Sequence, residues 1–553
     1  MTANEKYEEW LNKVTDEDVK RGLAAMADDP ERIENCFYKD LEFGTGGLRG
    51  ELGAGSDCLN IYTIRRVTQG IADSMKHYGQ KVACVSCDSR NYSELFKETV
   101  AEVFAKNGIK TYITKELMPT PFLSYITRNY QADIGVMITA SHNPAKYNGY
   151  KVYGSDGCQL TDNAANELIG YIENVDPFEV STGSLDEYIA AGLVNYVDDA
   201  VIEKYLETVF GQHINMADGL DVTYSALNGT GYKLVPEMLR RMNVKTLSLV
   251  DEQCHPDGNF PTCSYPNPEK PEALALGIET AKKNRSDILI ATDPDADRVG
   301  TAVLHGGEYV LLTGNEVGVL LTDYLLSMKK ANNTLPPRPV IVKTIVTTDL
   351  VRKVAAEYDA EIFDVLTGFK YIGDVIGKLE RKGEENRYVL GFEESYGYLS
   401  GTYVRDKDAV NASMLVAEMT AYYKKKNMTL VERLNEIYDR FGYYEHKLIS
   451  FDFPGADGQA KLSRLLAQLR ADLPRELAGR KVVKVIDYLT QTEADLPKSN
   501  VLSFTADDGT KLIIRPSGTE PIIKMYLTAA KSKHENEEIF AKMQKMLEQI
   551  FER

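Results

Sequence analysis

The sequence predicts a multidomain α/β chain that closes in an α+β domain, and three observations predict it. Its 553 residues exceed what one hydrophobic core holds, and at roughly 150 residues per domain they divide into about four domains with clefts between them. After an N-terminal stretch with helical periodicity, apolar β-rich runs alternate with helical-period segments: "KVACVS", "ADIGVMIT", "DVTYSAL", "SDILIAT", "PVIVKTIV" and "RYVLGF". That alternation is the signature of α/β units with largely parallel sheets. From Tyr443 onward closely spaced strands replace it, "HKLISFDF", "KVVKVIDYL", "NVLSFTA", "KLIIR" and "IIKMYLTA", before the helical "ENEEIFAKMQKMLEQIF".

Composition narrows the class of partner. With 43% hydrophobic and 26% charged residues and no low-complexity tract, the whole chain is expected to fold. A net charge of −18 argues against a nucleic-acid or anionic-membrane surface, since both need a basic face. An anionic small molecule would need a local basic patch. The start "MTANEKYEEWLNKV" has no basic segment leading into an apolar one, which predicts a cytoplasmic protein. The seven cysteines are scattered; the one close pair, Cys84 and Cys87, has no second pair to complete a zinc site, so reduced structural thiols are expected.

Polar motifs follow several apolar runs directly, where open α/β sheets gather ligands. "TASHNP" follows "DIGVMI", "TDPDADR" follows "DILIA", and "EESYGY" follows "YVLGF". Around Ser141 the esterase pattern G-x-S-x-G is absent, because Thr139 and Asn143 flank it; acyl transfer is thereby removed. Asp293, Asp295 and Asp297 set three carboxylates at alternating positions of a loop that Pro294 keeps from being helical. Three acidic groups so close repel one another unless a cation neutralises them, and hard oxygen donors suit Mg²⁺. An EF-hand fails, with Arg298 and Leu304 where glycine and glutamate belong. A metal beside a serine hydroxyl forms two parts of a phosphoryl-transfer site.

Further loops extend the pattern. "RPSGTEP", Arg515 to Pro521, lies between two apolar strands and offers a guanidinium, two hydroxyls and a glycine, all phosphate-binding groups. "GFEESYGY" pairs Glu393 with Ser395, which could bond vicinal sugar hydroxyls. The glycines of "FGTGGLRG" are spaced one residue too long for a dinucleotide fingerprint, and no G-x-x-x-x-G-K-[ST] loop occurs. "CHPDGNFPTC" offers three soft ligands and reads as a connecting loop. Taken singly, each loop also has a plainer reading as a capped, acidic or hairpin turn.

In this order, "FGTGGLRG", "TASHNP", "DPDADR", "GFEESYGY" and "RPSGTEP" resemble the α-D-phosphohexomutase superfamily, most closely its phosphoglucomutase branch, over Phe43 to Tyr526. "FPTCSYPNPE" and "LTGFKYIG" are also similar to that branch. The resemblance implies three related α/β domains and a phosphate-binding α+β domain around a central cleft, expected here as 1–205, 206–315, 316–442 and 443–553. It implies that Ser141 cycles as phosphoserine and that Asp293, Asp295 and Asp297, with a phosphoserine oxygen, hold Mg²⁺. Arg49, His142, Lys151, Arg298 and Lys370 would line the reacting end. Thr367, Gly368, Glu393 and Ser395 would contact the sugar, and Arg515, Ser517, Gly518 and Thr519 the phosphate that is not reacting. Gly46, where many members have serine or alanine, and Phe392, where glycine is common, depart from the pattern and bear on sugar preference.

The expected reaction is interconversion of glucose 1-phosphate and glucose 6-phosphate through glucose 1,6-bisphosphate, with phosphopentomutase and phosphomannomutase as alternatives of the same fold. Lys151, His142 and Lys370 are all candidates for the proton transfer. Outside the family, "DILIATDPDAD" would suit an aspartyl phosphatase, and the same loops would suit a sugar-phosphate sensor. Oligomeric state cannot be read from the sequence.

Overall fold

The computed structural model describes residues 1–44, 46–453, 458–490, 496–516 and 522–551. Three helices come first, Ala3–Lys13, Glu17–Ala24 and Pro30–Phe37, each starting where a side chain satisfies open N–H groups of the first turn. Thr2 and Glu5 form a reciprocal capping box, Asp16 accepts from the N–H groups of Asp18 and Val19, and Asp29 accepts from that of Arg32. Their buried faces build a small aromatic core in which Trp10 lies 5.7 Å from Phe37 and 5.4 Å from Phe178, edge to face.

Four sheets follow. The first runs in the order Gly47–Glu51, Tyr147–Gly154, Ile134–Ile138, Val82–Cys87, Lys110–Ile113, Val194–Tyr196; its last four strands are parallel and its first two antiparallel. In the second, Ile288–Thr292, Asp221–Ser225 and Thr246–Leu249 are parallel, extended by the antiparallel Val299–His305 and Glu308–Leu312. The third places Glu361–Val365, Val340–Thr344 and Tyr388–Phe392 parallel beside a short antiparallel Tyr398–Leu399. The fourth, from Glu445–Asp452 to Glu476–Leu477, is antiparallel throughout. Three mixed α/β sheets and one antiparallel sheet with helices are the expected architecture.

Burial explains the contrast in sequence pattern. Ile134–Ile138, Ile288–Thr292, Val340–Thr344 and Tyr388–Phe392 are buried at every position, so they read as continuous apolar runs. Ile522–Ala529 alternates instead, turning Ile523, Met525, Leu527 and Ala529 into a core shared with the helix Lys533–Phe551. One apolar core joins Met137, Tyr224, Ile290, Val342 and Phe392 with the almost wholly buried helix Ala409–Lys424, which fastens the first three sheets together. The fourth has its own core and meets the third through Ile345, Val346 and Leu366 against Ile486, Tyr488 and Ile513. The carboxyl ends of the strands thus converge on one cleft. Among the described residues no helix is long and apolar enough to cross a membrane. Cys84 and Cys87 are buried and unbridged.

Candidate active site

The cleft has a volume of about 690 Å³ and takes lining from all four sheets. Arg49, Ser141, His142 and Lys151 come from the first, Asp297 and Arg298 from the second, Thr367, Gly368, Glu393, Ser395 and Lys407 from the third, and Arg515, Lys524 and Tyr526 from the fourth. Against a net charge of −18 this is a concentrated group of cations, the local basic patch that an anionic substrate requires.

The serine loop is held by a buried polar scaffold. Strand Ile134–Ile138 is followed by Thr139, whose hydroxyl accepts the Ser141 N–H at 2.8 Å and donates to Asp88 at 2.6 Å. Asp88 also accepts from Ser93 Oγ at 2.9 Å and the Arg90 N–H at 3.0 Å. The Arg90 guanidinium donates to four carbonyls of the loop: Pro144 and Tyr147 at 2.9 Å, Ser141 at 2.5 Å, and Asn143. So anchored, Ser141 is kept at φ 53°, in the left-handed region, a conformation that costs a non-glycine residue about 1 kcal/mol or more. Its Oγ donates to Asp293 Oδ2 at 3.0 Å and lies 3.1 Å from His142 Nδ1.

The second loop puts Asp293, Asp295 and Asp297 in burial, with one carboxylate oxygen of each within 4.8 Å of the others. Among the described residues this is the one such grouping of three or more metal-ligating side chains. Its backbone is fixed from both sides: the Thr230 N–H donates to the Pro294 carbonyl at 2.8 Å and the Thr120 N–H to the Asp295 carbonyl at 2.9 Å. Asp293 Oδ1 accepts the N–H groups of Asp297 and Arg298 at 3.1 and 3.0 Å. Asp295 Oδ1 and Asp297 Oδ1 are buried and accept no hydrogen bond, the condition of oxygens that suit a hard cation.

Charge around the triad is divided unequally. Lys151 Nζ lies 2.8 Å from Asp295 Oδ2 and 3.5 Å from Asp297 Oδ2, and Lys407 Nζ 2.8 Å from Asp297 Oδ2. Burial would raise the pKa of Asp295, but Lys151 and Lys407 outweigh it and hold that carboxylate ionised. Asp293 is pushed well up, by burial first and then by Asp297 and Asp295. Burial works against charge on Lys151 too, yet Asp295 and Asp297 keep it an ammonium. His142 is pushed well below its usual range by burial and by Arg298 and Arg49, so its imidazole is neutral at physiological pH.

Glu393 follows strand Tyr388–Phe392, is 6% exposed, and accepts the Gly368 N–H at 2.9 Å. Burial lifts its carboxyl from 4.5 to about 7. The folded chain therefore keeps a proton that the unfolded chain has lost between those pH values. Stability from this group is fully present below the unfolded pKa and is lost as pH rises through the folded one, about 3 kcal/mol in all. Glu393→Gln removes the titration: urea unfolding without ligand, at about pH 5 and about pH 8, is expected to find the variant gaining on the wild type by that order as pH rises. A parallel pH dependence in the two proteins would refute the assignment.

Several expected site residues are drawn together, and others stand differently. Arg49 donates to Asn143 Oδ1 at 3.3 Å beside the serine loop. Lys370 is outside the lining of the cleft, its Nζ donating to Asp162 at 2.5 Å. Ser517, Gly518 and Thr519 lie outside the described residues. Arg90 and Lys407 were not anticipated. "CDSR" does follow the apolar run "KVACVS", so position alone could have flagged Arg90; Lys407 sits in "VRDKDA", a run of charge before a buried helix.

A four-domain α/β architecture closing on a buried serine and carboxylate triad defines the phosphohexomutase class. The chain belongs to the phosphoglucomutase/phosphomannomutase family: the models of its alpha/beta/alpha domains I, II and III match residues 40–178, 203–306 and 313–441, and that of its C-terminal domain matches 464–546. A phosphoglucomutase of Staphylococcus haemolyticus (strain JCSC1435) is 36% identical over 90% of this chain and 91% of its own. One of Staphylococcus aureus (strain USA300) is 35% identical over 94% of each. The fold is similar to the crystal structure of a phosphoglucomutase/phosphomannomutase family protein from Burkholderia thailandensis, with a TM-score of 0.69 and 19% identity over 92% of this chain and 97% of that one.

Proposed function

We propose that this chain interconverts α-D-glucose 1-phosphate and glucose 6-phosphate through a phosphoserine enzyme and a glucose 1,6-bisphosphate intermediate. One observation carries the reading: Ser141 Oγ lies 3.0 Å from Asp293 within a buried carboxylate triad, with Lys151 and Arg298 beside it. The names of the similar staphylococcal enzymes support it. The four-part division at 1–205, 206–315, 316–442 and 443–553 belongs to the same reading, as does a cytoplasmic location.

In this scheme Asp293, Asp295 and Asp297, with Ser141, would hold Mg²⁺. The ion would supply positive charge to the transferring phosphoryl group. Arg49, Lys151 and Arg298 add cationic charge to the same end, offsetting the repulsion between phosphoserine and an anionic sugar phosphate. The free sugar hydroxyl attacks the phosphorus of phosphoserine 141; its new P–O bond forms as the bond to Ser141 Oγ breaks. The hydroxyl loses its proton, and His142 and Lys151 stand at this end to take part in that transfer. After the bisphosphate reorients, its other phosphate returns to Ser141. Thr367, Gly368, Glu393 and Ser395 hold the sugar in either direction, and Arg515 with Ser517, Gly518 and Thr519 grips the idle phosphate. Lys370, ion-paired with Asp162 outside the lining of the cleft, would join the cationic set in this reading on release from that pair.

An aspartyl phosphatase fits less well. Asp293 already uses Oδ1 for two N–H donors and Oδ2 for Ser141. The test is conversion of glucose 1-phosphate to glucose 6-phosphate with Mg²⁺ and a trace of glucose 1,6-bisphosphate, with ribose 1-phosphate in parallel. Faster glucose turnover is expected. Preference for ribose would move the reading to a phosphopentomutase, and no turnover of either sugar would overturn it.

A further inference from the structure

We propose that Glu269 is a positioning residue that holds Arg298 off the carboxylate triad, so that the triad stays open to a cation. The inference rests on the reading of the triad as a cation site.

Arg298 follows the triad directly, and its side chain has anionic neighbours on two sides. On one side, Nε lies 4.0 Å from Asp293 Oδ2 and 3.9 Å from Asp297 Oδ1. Those separations are beyond hydrogen-bond reach, and Nε is buried without a hydrogen-bond acceptor. On the other side, Nη1 donates to Glu269 Oε1. A guanidinium next to three buried carboxylates would be drawn onto them, since opposite charges attract strongly where water is excluded. Once there, it would occupy oxygens that a metal ion needs. Glu269 is the competing acceptor that keeps the guanidinium one step away.

The segment bearing Glu269 is built to present it. Asn267, itself buried, accepts the Glu269 N–H on Oδ1 at 3.0 Å, and its carbonyl accepts the Lys270 N–H at 2.9 Å. Pro268 rides directly on Gly300 in the strand that leaves the triad: a Cβ at Gly300 would stand 2.7 Å from the Pro268 carbonyl oxygen. Absence of a side chain at Gly300 therefore lets this segment approach the metal loop closely enough for Glu269 to reach Arg298.

The test is calorimetric titration of the dephosphorylated protein with Mn²⁺, which needs no turnover. Glu269→Ala is expected to weaken Mn²⁺ binding about tenfold, the scale of losing a residue that orients a metal site from outside it. Glu269→Gln, whose amide oxygen still accepts from Nη1, should lose less. Glu269→Ala in an Arg298→Ala background should cost nothing further, because the residue acts through Arg298. Wild-type affinity in Glu269→Ala, or the same loss with and without Arg298, would overturn the proposal. Should Glu269→Ala fail to fold, Glu269→Gln with and without Arg298→Ala carries the same comparison. A wild type that binds no Mn²⁺ would instead overturn the cation reading on which the inference stands.

Discussion

Ser141→Ala is expected to cut steady-state turnover of glucose 1-phosphate by at least about a thousandfold, with little change in folding. The size follows from what the hydroxyl does: without Oγ no phosphoryl group can be stored on the chain, and the two half-reactions lose their common intermediate. Little structural penalty is expected because the loop is held by other groups. The Ser141 N–H is bonded to Thr139 and its carbonyl to Arg90, and both bonds survive the substitution. The side-chain hydrogen bond to the triad lost with it is the Ser141 Oγ donation to Asp293 Oδ2, and Asp293 keeps the two N–H donors on its other oxygen. Thermal unfolding within a few degrees of the wild type, beside lost turnover, would separate a chemical role from a structural one; retained turnover would sink the mechanism.

The second large effect concerns the triad. Removal of divalent ions with a chelator is expected to abolish turnover, and Mg²⁺ affinity should fall as pH falls. The sign follows from Asp293, whose pKa is raised well above that of an ordinary aspartate by burial and its two acidic neighbours. In the ion-free protein Asp293 keeps its proton to higher pH, and binding must displace it. Calorimetry in buffers of different ionisation enthalpy should therefore find protons released on binding, and Asp293→Asn should remove both that release and most of the affinity. Affinity independent of pH, with no proton release, would contradict the electrostatic account.

Much of the fold was legible because it is written in periodicity. Strands covered on both faces, such as Ile288–Thr292, read as continuous apolar runs, and the loops after them announce themselves as sudden polarity: Asp293 to Asp297 follow Thr292 without an intervening residue. What could not be read is what spans elements far apart in sequence. Arg90 acts on carbonyls more than fifty residues downstream, and Lys407 reaches Asp297 from another sheet; neither contact leaves a local pattern. Lys151 was found by motif, but its charge state depends on Asp295 and Asp297, a matter of distance and burial. Glu269 lies in a segment already picked out for its resemblance to the phosphoglucomutase branch, yet its partner became evident only from the geometry.

The most direct test of the central claim is to charge the chain with glucose 1,6-bisphosphate labelled in its phosphates, locate the label by peptide mass, and then add unlabelled glucose 1-phosphate. The account predicts one phosphate per chain, carried on Ser141 and discharged to the sugar. Label on Asp293, on no residue, or on a Ser141 that sugar phosphate fails to discharge would contradict it.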